Sequence, residues 1–211
     1  MNSWWVLALG FLAQGLFSAR ILVQWIMSEK AKKVVSPTIF WVISLVASYI
    51  FFIYGWLRQD FAIMLGQVIS YYIYIWNIGQ KGAWKKVPEF FRKLLLIILI
   101  FTPIAGIAFM VKDWQMVFET LLKNDNIPMG LVIFGSIGQI IFTFRFVYQW
   151  IYSSKKQESM LPSGFWIISL IGSFTIISYA IVRSDYVLIL GQSVGFVSYI
   201  RNLMLWKRNA A

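Results

Sequence analysis

The sequence RILVQWIMS at residues 20–28 returns 125 positions later as RFVYQWIYS at residues 145–153. The same offset, without gaps, relates residues 10–77 to residues 135–202, where 25 of 68 positions are identical. Chance matching between two apolar sequences would repeat their leucines and isoleucines, whereas these copies share arginine, glutamine, asparagine and proline. The chain therefore contains two copies of one unit.

Each unit contains three apolar stretches, and a seventh stretch connects the two units. The chain is 60% hydrophobic and 13% charged, against about 25% charged in a typical soluble protein. The stretches reach or approach the length of about 20 residues that a bilayer core requires. The sequence therefore predicts an all-α integral membrane protein with seven transmembrane helices, at residues 4–27, 37–57, 60–78, 94–111, 129–152, 162–182 and 185–205.

Three spans per unit is an odd number, so a second unit joined directly to the first would be inverted. The connecting helix restores the orientation, which predicts two parallel three-helix repeats related by an axis along the membrane normal. The predicted domains are the first repeat at residues 1–80, a linker with the fourth span at 81–128, and the second repeat at 129–211.

Lysine and arginine are unequally distributed between the two sides that these spans define. Four lie in the predicted outer segments and twelve in the inner ones, so the positive-inside rule predicts an outer N-terminus and a cytoplasmic C-terminus. The net charge of +11 then reflects topology and anionic lipid head groups, and no nucleic-acid partner is expected. The inner residues are Lys30, Lys32, Lys33, Lys81, Lys85, Lys86, Arg92, Lys93, Lys155, Lys156, Lys207 and Arg208.

Two loops and four tryptophans are expected at the membrane surface. Residues 81–93 mix basic and aromatic side chains, as an interfacial anchor does, and residues 113–126 have the spacing of a short amphipathic helix. Four tryptophans flank the predicted inner loops, where an aromatic belt is expected. They are Trp25, Trp41, Trp150 and Trp166.

Polar side chains inside the predicted spans are the candidate binding residues, because a polar group in lipid is costly and faces protein or a water-filled cavity. In the first span, Gln14, Arg20 and Gln24 are expected to lie broadly on one face. The candidate substrate-binding residues, given as pairs at equivalent positions, are Arg20 and Arg145, Gln14 and Gln139, Gln24 and Gln149, Gln67 and Gln192, Tyr74 and Tyr199, and Asn77 and Asn202.

The arginine pair has two interpretations. No acidic residue falls inside a predicted span, and arginine is a planar donor suited to phosphate or carboxylate, so Arg20 and Arg145 could form one anion site. Alternatively, each side chain could snorkel to the cytoplasmic head groups. The glutamines and asparagines could likewise line a polar path or form hydrogen bonds between helices.

The residue types leave little chemistry for catalysis. The chain has no histidine and no cysteine, so no site built on these ligands and no cofactor is expected. Group transfer generally uses a base, a nucleophile or a metal. Only the acids near Asp60 and Asp185, in two short outer turns, could serve an enzyme, and no catalytic residue is predicted.

The pattern Arg-x3-Gln-Trp-x2-Ser, Pro-x2-Phe-Trp-x2-Ser, Arg-x-Asp and Gly-Gln-x6-Tyr-x2-Asn occurs at residues 10–78 and again at 135–203. This pattern resembles the bacterial family named for the N-terminal domain of lipid-A-disaccharide synthase. The three-plus-one-plus-three arrangement is similar to that of the PQ-loop transporters of the SWEET type, although their Pro-Gln dipeptide is absent. The resemblance implies a bacterial inner-membrane component of lipid A or related glycan synthesis, with a periplasmic N-terminus.

Three functions are compatible with these features. The first is a transporter or flippase for a lipid-linked sugar or another anionic glycolipid. The second is a non-catalytic scaffold or accessory subunit for a membrane glycosyltransferase. The third, an enzyme of the lipid A pathway, has the fewest candidate residues.

Overall fold

The computed structural model describes residues 4–57, 61–111, 128–184 and 186–210. These residues are helical throughout their regular structure, and none of them forms a strand. The predicted amphipathic helix at 113–126, and both Asp60 and Asp185, lie outside the described residues. The helices are α1 (Trp4–Ala31), α2 (Thr38–Leu57), α3 (Phe61–Gln80), a 3-10 turn (Ala83–Lys86), α4 (Glu89–Val111), α5 (Met129–Lys156), α6 (Ser163–Val182) and α7 (Tyr186–Ala210).

Four of these helices are long and apolar enough to cross a membrane, judged by length and composition within the described residues. The all-helical fold is thus confirmed, together with several membrane-compatible helices. The four are Trp4–Ala31, Thr38–Leu57, Glu89–Phe109 and Ser163–Val182.

The chain divides into two compact units. The first comprises Met1–Leu16 and Trp41–Asp125, and the second comprises Phe17–Phe40 and Asn126–Ala211. The C-terminal half of α1 and the loop after it therefore belong to the same unit as the second repeat.

Close helix contacts build the first unit. A Cβ atom on Gly10 would lie 2.8 Å from the ring of Tyr54, so α1 approaches α2 where only glycine fits. Oγ of Ser48 on α2 donates to Oε1 of Gln67 on α3 at 3.1 Å. The hydroxyl of Tyr72 on α3 donates to a carbonyl of α4 at 2.8 Å, which fixes α4 against its neighbour.

The second unit repeats these contacts, with α5, α6 and α7 packed consecutively. A Cβ on Gly135 would lie 2.8 Å from the ring of Tyr179, and Ser173 donates to Oε1 of Gln192 at 3.1 Å. At Gly172 the neighbouring atoms are backbone, because a Cβ there would lie 2.8 Å from backbone atoms of Phe142. Glycine at this position lets α5 and α6 pack backbone to backbone.

Both copies end their first helix in the same way. Lys32 and Gln157 adopt left-handed backbone angles, with φ of 53° and 52°, as is common just after a helix. In each copy the serine of the Gln-Trp-x2-Ser motif, Ser28 or Ser153, accepts a backbone N–H from the following loop at 3.1 Å. The motif therefore secures the loop that leads to the next helix.

Two of the four tryptophans expected in an aromatic belt lie elsewhere. Trp41 and Trp166 are buried in the protein, at 0% and 2% exposed, so the belt prediction is wrong for this pair. Each packs against a tyrosine on the third helix of its repeat. The ring centroids are 6.0 Å apart in both Trp41–Tyr74 and Trp166–Tyr199. Trp150 is 40% exposed.

Candidate functional site

A small cavity lies entirely within the second unit. About 10 Å³ of it can hold the centre of a water molecule, which is room for roughly one water. Its walls combine two cations, three neutral side chains with polar atoms, and four apolar side chains. They are Arg20 and Arg145; Gln24, Trp166 and Tyr199; and Ile21, Phe40, Phe146 and Phe165.

Arg20 from α1 and Arg145 from α5 both reach this cavity, and both are buried, at 4% and 3% exposed. They share one ring, since the centroid of Phe146 lies 5.2 Å from Cζ of Arg20 and 4.7 Å from Cζ of Arg145. A guanidinium over an aromatic face is attracted by the ring quadrupole. Equivalent positions of the two repeats thus bring two positive charges to the same ring.

Further aromatic rings surround each guanidinium. Cζ of Arg20 lies 4.7 Å from the ring centroid of Phe17 and 5.4 Å from that of Phe40. Cζ of Arg145 lies 3.3 Å from the ring centroid of Phe142. Both side chains are therefore packed among rings instead of extending to a surface.

Tyr199 connects Arg145 to Trp166. Nη1 of Arg145 donates to the hydroxyl oxygen of Tyr199 at 3.4 Å, and the Tyr199 ring lies against the Trp166 ring. The indole Nε1 of Trp166 is buried and has no hydrogen-bond partner among the described residues. Because an indole N–H can only donate, the cavity wall includes a donor that no described residue accepts.

Gln24 joins the cavity wall to α7. Its Nε2 donates to Oδ1 of Asn202 at 2.9 Å, and Nδ2 of Asn202 donates back to Oε1 of Gln24 at 3.2 Å. Gln24 and Asn202 are buried, at 1% and 0% exposed. This reciprocal amide pair holds α1 against α7 beside the cavity.

An ion pair joins the same two helices nearer the end of α1. Nε of Arg201 donates to Oε1 of Glu29, and Nη2 donates to Oε2 at 2.9 Å. Nε1 of Trp25 also donates to Oε1 of Glu29, at 2.9 Å. Sequence analysis missed this pair because its repeat equivalents are Trp76 and Ser154, which carry no charge.

Gln149 and Gln192, two further predicted residues of the second unit, also lie outside the cavity wall. Gln149 is buried, and its Nε2 donates to Oγ of Ser153 and to the carbonyl of Met160, both at 2.9 Å. Gln192 is half-buried and accepts from Ser173. Their amides thus hold a loop and a neighbouring helix.

Gln67, Tyr74 and Asn77 belong to the first unit and contact other residues of that unit. Gln67 is half-buried and accepts from Ser48. Tyr74 is buried and lies against Trp41, while Nδ2 of Asn77 donates to a carbonyl one turn earlier on α3 at 2.8 Å.

Gln14 and Gln139 do not join the buried residues, since both side chains are exposed. At about 100° per residue, a separation of six positions leaves Gln14 and Arg20 about 120° apart around the helix, so the two share a face only in the broad sense expected.

The donor set suits an anion. Protein metal sites are built from carboxylate, imidazole, thiolate and carbonyl ligands, and in the part of the chain that the structure describes, no group of three or more such acidic, histidine or cysteine side chains could hold a metal ion. Two guanidiniums and an indole N–H instead present donors only. Their natural ligand is an oxyanion such as phosphate or carboxylate.

Comparison with known proteins identifies the repeat. Two segments, residues 9–79 and 134–204, match the family described as the Lipid A Biosynthesis N-terminal domain. They coincide with the two copies of the sequence motif, so the resemblance inferred from that motif is confirmed.

The curated relatives, which are named lipid-A-disaccharide synthase, are longer than this chain. Lipid-A-disaccharide synthase of Chlamydia pneumoniae is 27% identical over 201 residues, which cover 94% of this chain and 33% of that protein. Lipid-A-disaccharide synthase of Chlamydia trachomatis serovar D is 26% identical over 214 residues, covering 98% and 35%. The chain spans about a third of the length of these relatives. No solved structure matches it. The chain belongs to the lipid A biosynthesis N-terminal domain family and carries two tandem copies of that domain.

Proposed function

We propose that this chain is a seven-span protein of the bacterial inner membrane that moves an anionic glycolipid in lipid A or related envelope glycan synthesis. Its N-terminus would be periplasmic and its C-terminus cytoplasmic. The observation that carries the proposal is that Arg20 and Arg145, equivalent residues of two repeats, line one buried cavity. Family membership supports the pathway, and the four candidate spans support the membrane setting.

Different cavity residues would recognise different parts of the glycolipid. Arg20 and Arg145 would hold the phosphate, because a planar guanidinium can donate two parallel hydrogen bonds to its oxygens. Tyr199 and Gln24 would bind sugar hydroxyls, since a hydroxyl and an amide can each donate and accept. Of the other predicted residues, those that are buried or half-buried on α3, α5 and α7 stay candidates for a polar path.

Transport requires the cavity to open, because room for about one water is too little for a phosphate group. Two contacts between α1 and α7 would have to separate: the amide pair of Gln24 with Asn202 and the ion pair of Glu29 with Arg201. Repeat-built transporters commonly expose a central site by rocking one bundle against another. The described form then corresponds to a closed state of the carrier.

A lipid translocation assay tests the proposal. The purified protein is reconstituted in liposomes with fluorescent monophosphoryl lipid A or with its dephosphorylated form, and movement between leaflets is followed by quenching of the outer leaflet. We expect the wild type to move the phosphorylated lipid faster. Because the phosphate would lose both of its cations, we expect Arg20→Gln with Arg145→Gln to abolish that difference.

The exposed pair Gln14 and Gln139 supplies a matched control, because it changes equivalent positions of the same two helices outside the cavity. Gln14→Ala with Gln139→Ala should translocate lipid as the wild type does. Equal rates for wild type and the double arginine variant would contradict the transport proposal.

A scaffold for a glycosyltransferase is the second candidate. Its support is that relatives named lipid-A-disaccharide synthase are about three times as long as this chain, so the domain occurs within larger proteins. In that case the protein would be inactive in liposomes, and the double arginine variant would still co-purify with its glycosyltransferase. The transport proposal instead expects lipid movement in liposomes, and expects that movement to depend on both arginines.

A further inference from the structure

The strongest unassigned feature of the cavity is the indole of Trp166. The side chain is 2% exposed, it lines the cavity, and its Nε1 has no hydrogen-bond partner within the described residues. Buried donors in proteins almost always form a hydrogen bond, because a buried donor without a partner has lost its hydrogen bonds to water and gained none in return. A donor of this kind beside two cations therefore points to a bound acceptor.

The ring is held in place by its neighbours. Trp166 lies in the first turn of α6, with the Phe165 ring edge-on at a centroid distance of 4.8 Å and the Tyr199 ring at 6.0 Å. Tyr199 accepts from Arg145. Arg145, Tyr199 and Trp166 thus form one continuous wall, so the indole can serve the same ligand as the guanidinium.

The wall defines the chemical class of that ligand. Guanidinium and indole groups donate and do not accept. The hydroxyl of Tyr199 accepts from Arg145 and keeps its own proton to donate. A ligand in contact with all of them has several acceptor oxygens and negative charge, which describes a phosphate group with its three terminal oxygens.

We infer that the indole N–H of Trp166 is a third donor of this cavity and hydrogen-bonds an oxygen of a bound phosphate group. This inference rests on the proposed anionic ligand and names its chemistry. It assigns Trp166 a role different from that of Trp41, its repeat equivalent, which is equally buried and packs on Tyr74 but does not line the cavity.

Nitrogen-15 NMR of the indole groups tests the inference on the unaltered protein. The chain has 11 tryptophans, and the signals of two of them are assigned by their loss in Trp166→Phe and Trp41→Phe. The probes are inorganic phosphate, a short-chain phosphatidic acid and the matching diacylglycerol. We expect both phosphate-bearing probes, or the lipid alone, to move the Trp166 signal downfield, while the Trp41 signal stays in place.

Affinity supplies the second readout. Since a hydrogen bond to a charged group is being removed, Trp166→Phe should weaken phosphatidic acid binding about tenfold to a hundredfold. Trp41→Phe should leave the affinity unchanged, because Trp41 does not line the cavity. A response to inorganic phosphate would show that the head group alone suffices, and a response to phosphatidic acid alone would show that the lipid chains are also needed.

The outcomes separate the inference from the proposed function. If a phosphate probe binds and binding is lost in Arg20→Gln with Arg145→Gln, but the Trp166 signal and the Trp166→Phe affinity are unchanged, the inference is overturned and the anion site stands. If no phosphate probe binds the wild type, both are overturned. If diacylglycerol moves the Trp166 signal as far as phosphatidic acid does, the indole senses lipid chains and the inference also fails.

Discussion

The two repeats share their loop geometry and differ at the helix contacts around it. In both, a glutamine on the first helix donates to the motif serine, at 2.8 Å for Gln24 and 2.9 Å for Gln149. Only the first copy has an acid directly after the motif serine, where Glu29 pairs with Arg201; the equivalent residue of the second copy is Ser154. Identical positions therefore build one scaffold twice, and the positions that differ between the copies give each a separate task.

A second difference lies at the contact between the first two helices of each repeat. Gly172 of the second copy corresponds to Ala47 of the first, which is 0% exposed. In the second copy the Phe142 backbone occupies the space that a Cβ would need. The second copy thus packs more closely at this point than a side chain permits.

The largest expected effect on stability comes from two single substitutions, in which each of these residues is replaced by its counterpart from the other copy. Gly172→Ala places a methyl group against backbone that cannot move aside, so overpacking should destabilise the protein by about 1–3 kcal/mol. Ala47→Gly should cost about 1 kcal/mol, as glycine in a helix does. Melting followed by fluorescence-detected size exclusion in detergent measures both.

Gly191→Ala is the matched control, because no described atom lies within 4 Å of the added Cβ and alanine favours the helix. It should melt at or above the wild-type temperature. Should Gly172→Ala melt no lower than Ala47→Gly, the closer packing of the second copy would be refuted.

A smaller effect is expected from Glu29, whose equivalent in the second copy is the uncharged Ser154. The Glu29–Arg201 pair is partly exposed, at 35% and 43%, and such pairs add little to stability. We expect the ion pair instead to limit access to the cavity. Since the chain has no cysteine, Ile21→Cys places a single thiol in the cavity wall, and Glu29→Gln should raise its labelling rate by a water-soluble maleimide.

High salt should raise the labelling rate in the same direction, because it screens partly exposed charges. Ser154→Ala, at the equivalent of Glu29, should leave the rate unchanged. Identical labelling with and without the Glu29 charge would show that the ion pair does not control access.

Sequence comparison found the arginine pair because both copies keep it at equivalent positions. It predicted the helices well, since long apolar stretches and a repeated motif act locally. The first and fifth helices extend one turn further, to Ala31 and Lys156, because their motif serines hold the loop that follows. Seven membrane spans, their orientation and the domain boundaries at 80 and 128 stay predictions.

Tertiary contacts without a repeat counterpart could not be predicted. Glu29 and Arg201 lie 172 positions apart, and the first was assigned to a loop. Trp166 resembles an interfacial tryptophan in sequence, because its position beside a loop does not reveal that other helices cover it. Gln14 is exposed while Arg20 is buried, and spacing along one helix does not reveal which positions the other helices cover.

Native mass spectrometry of protein extracted gently from bacterial membranes tests the central claim, that Arg20 and Arg145 jointly bind a phosphate-bearing glycolipid. The wild type is compared with the Arg20→Gln, Arg145→Gln double variant, using Gln14→Ala with Gln139→Ala as the control. We expect a phosphate-bearing glycolipid on the wild type and the control, and its loss from the arginine variant. The same bulk phospholipids on all three forms would contradict it and leave the arginines a structural role.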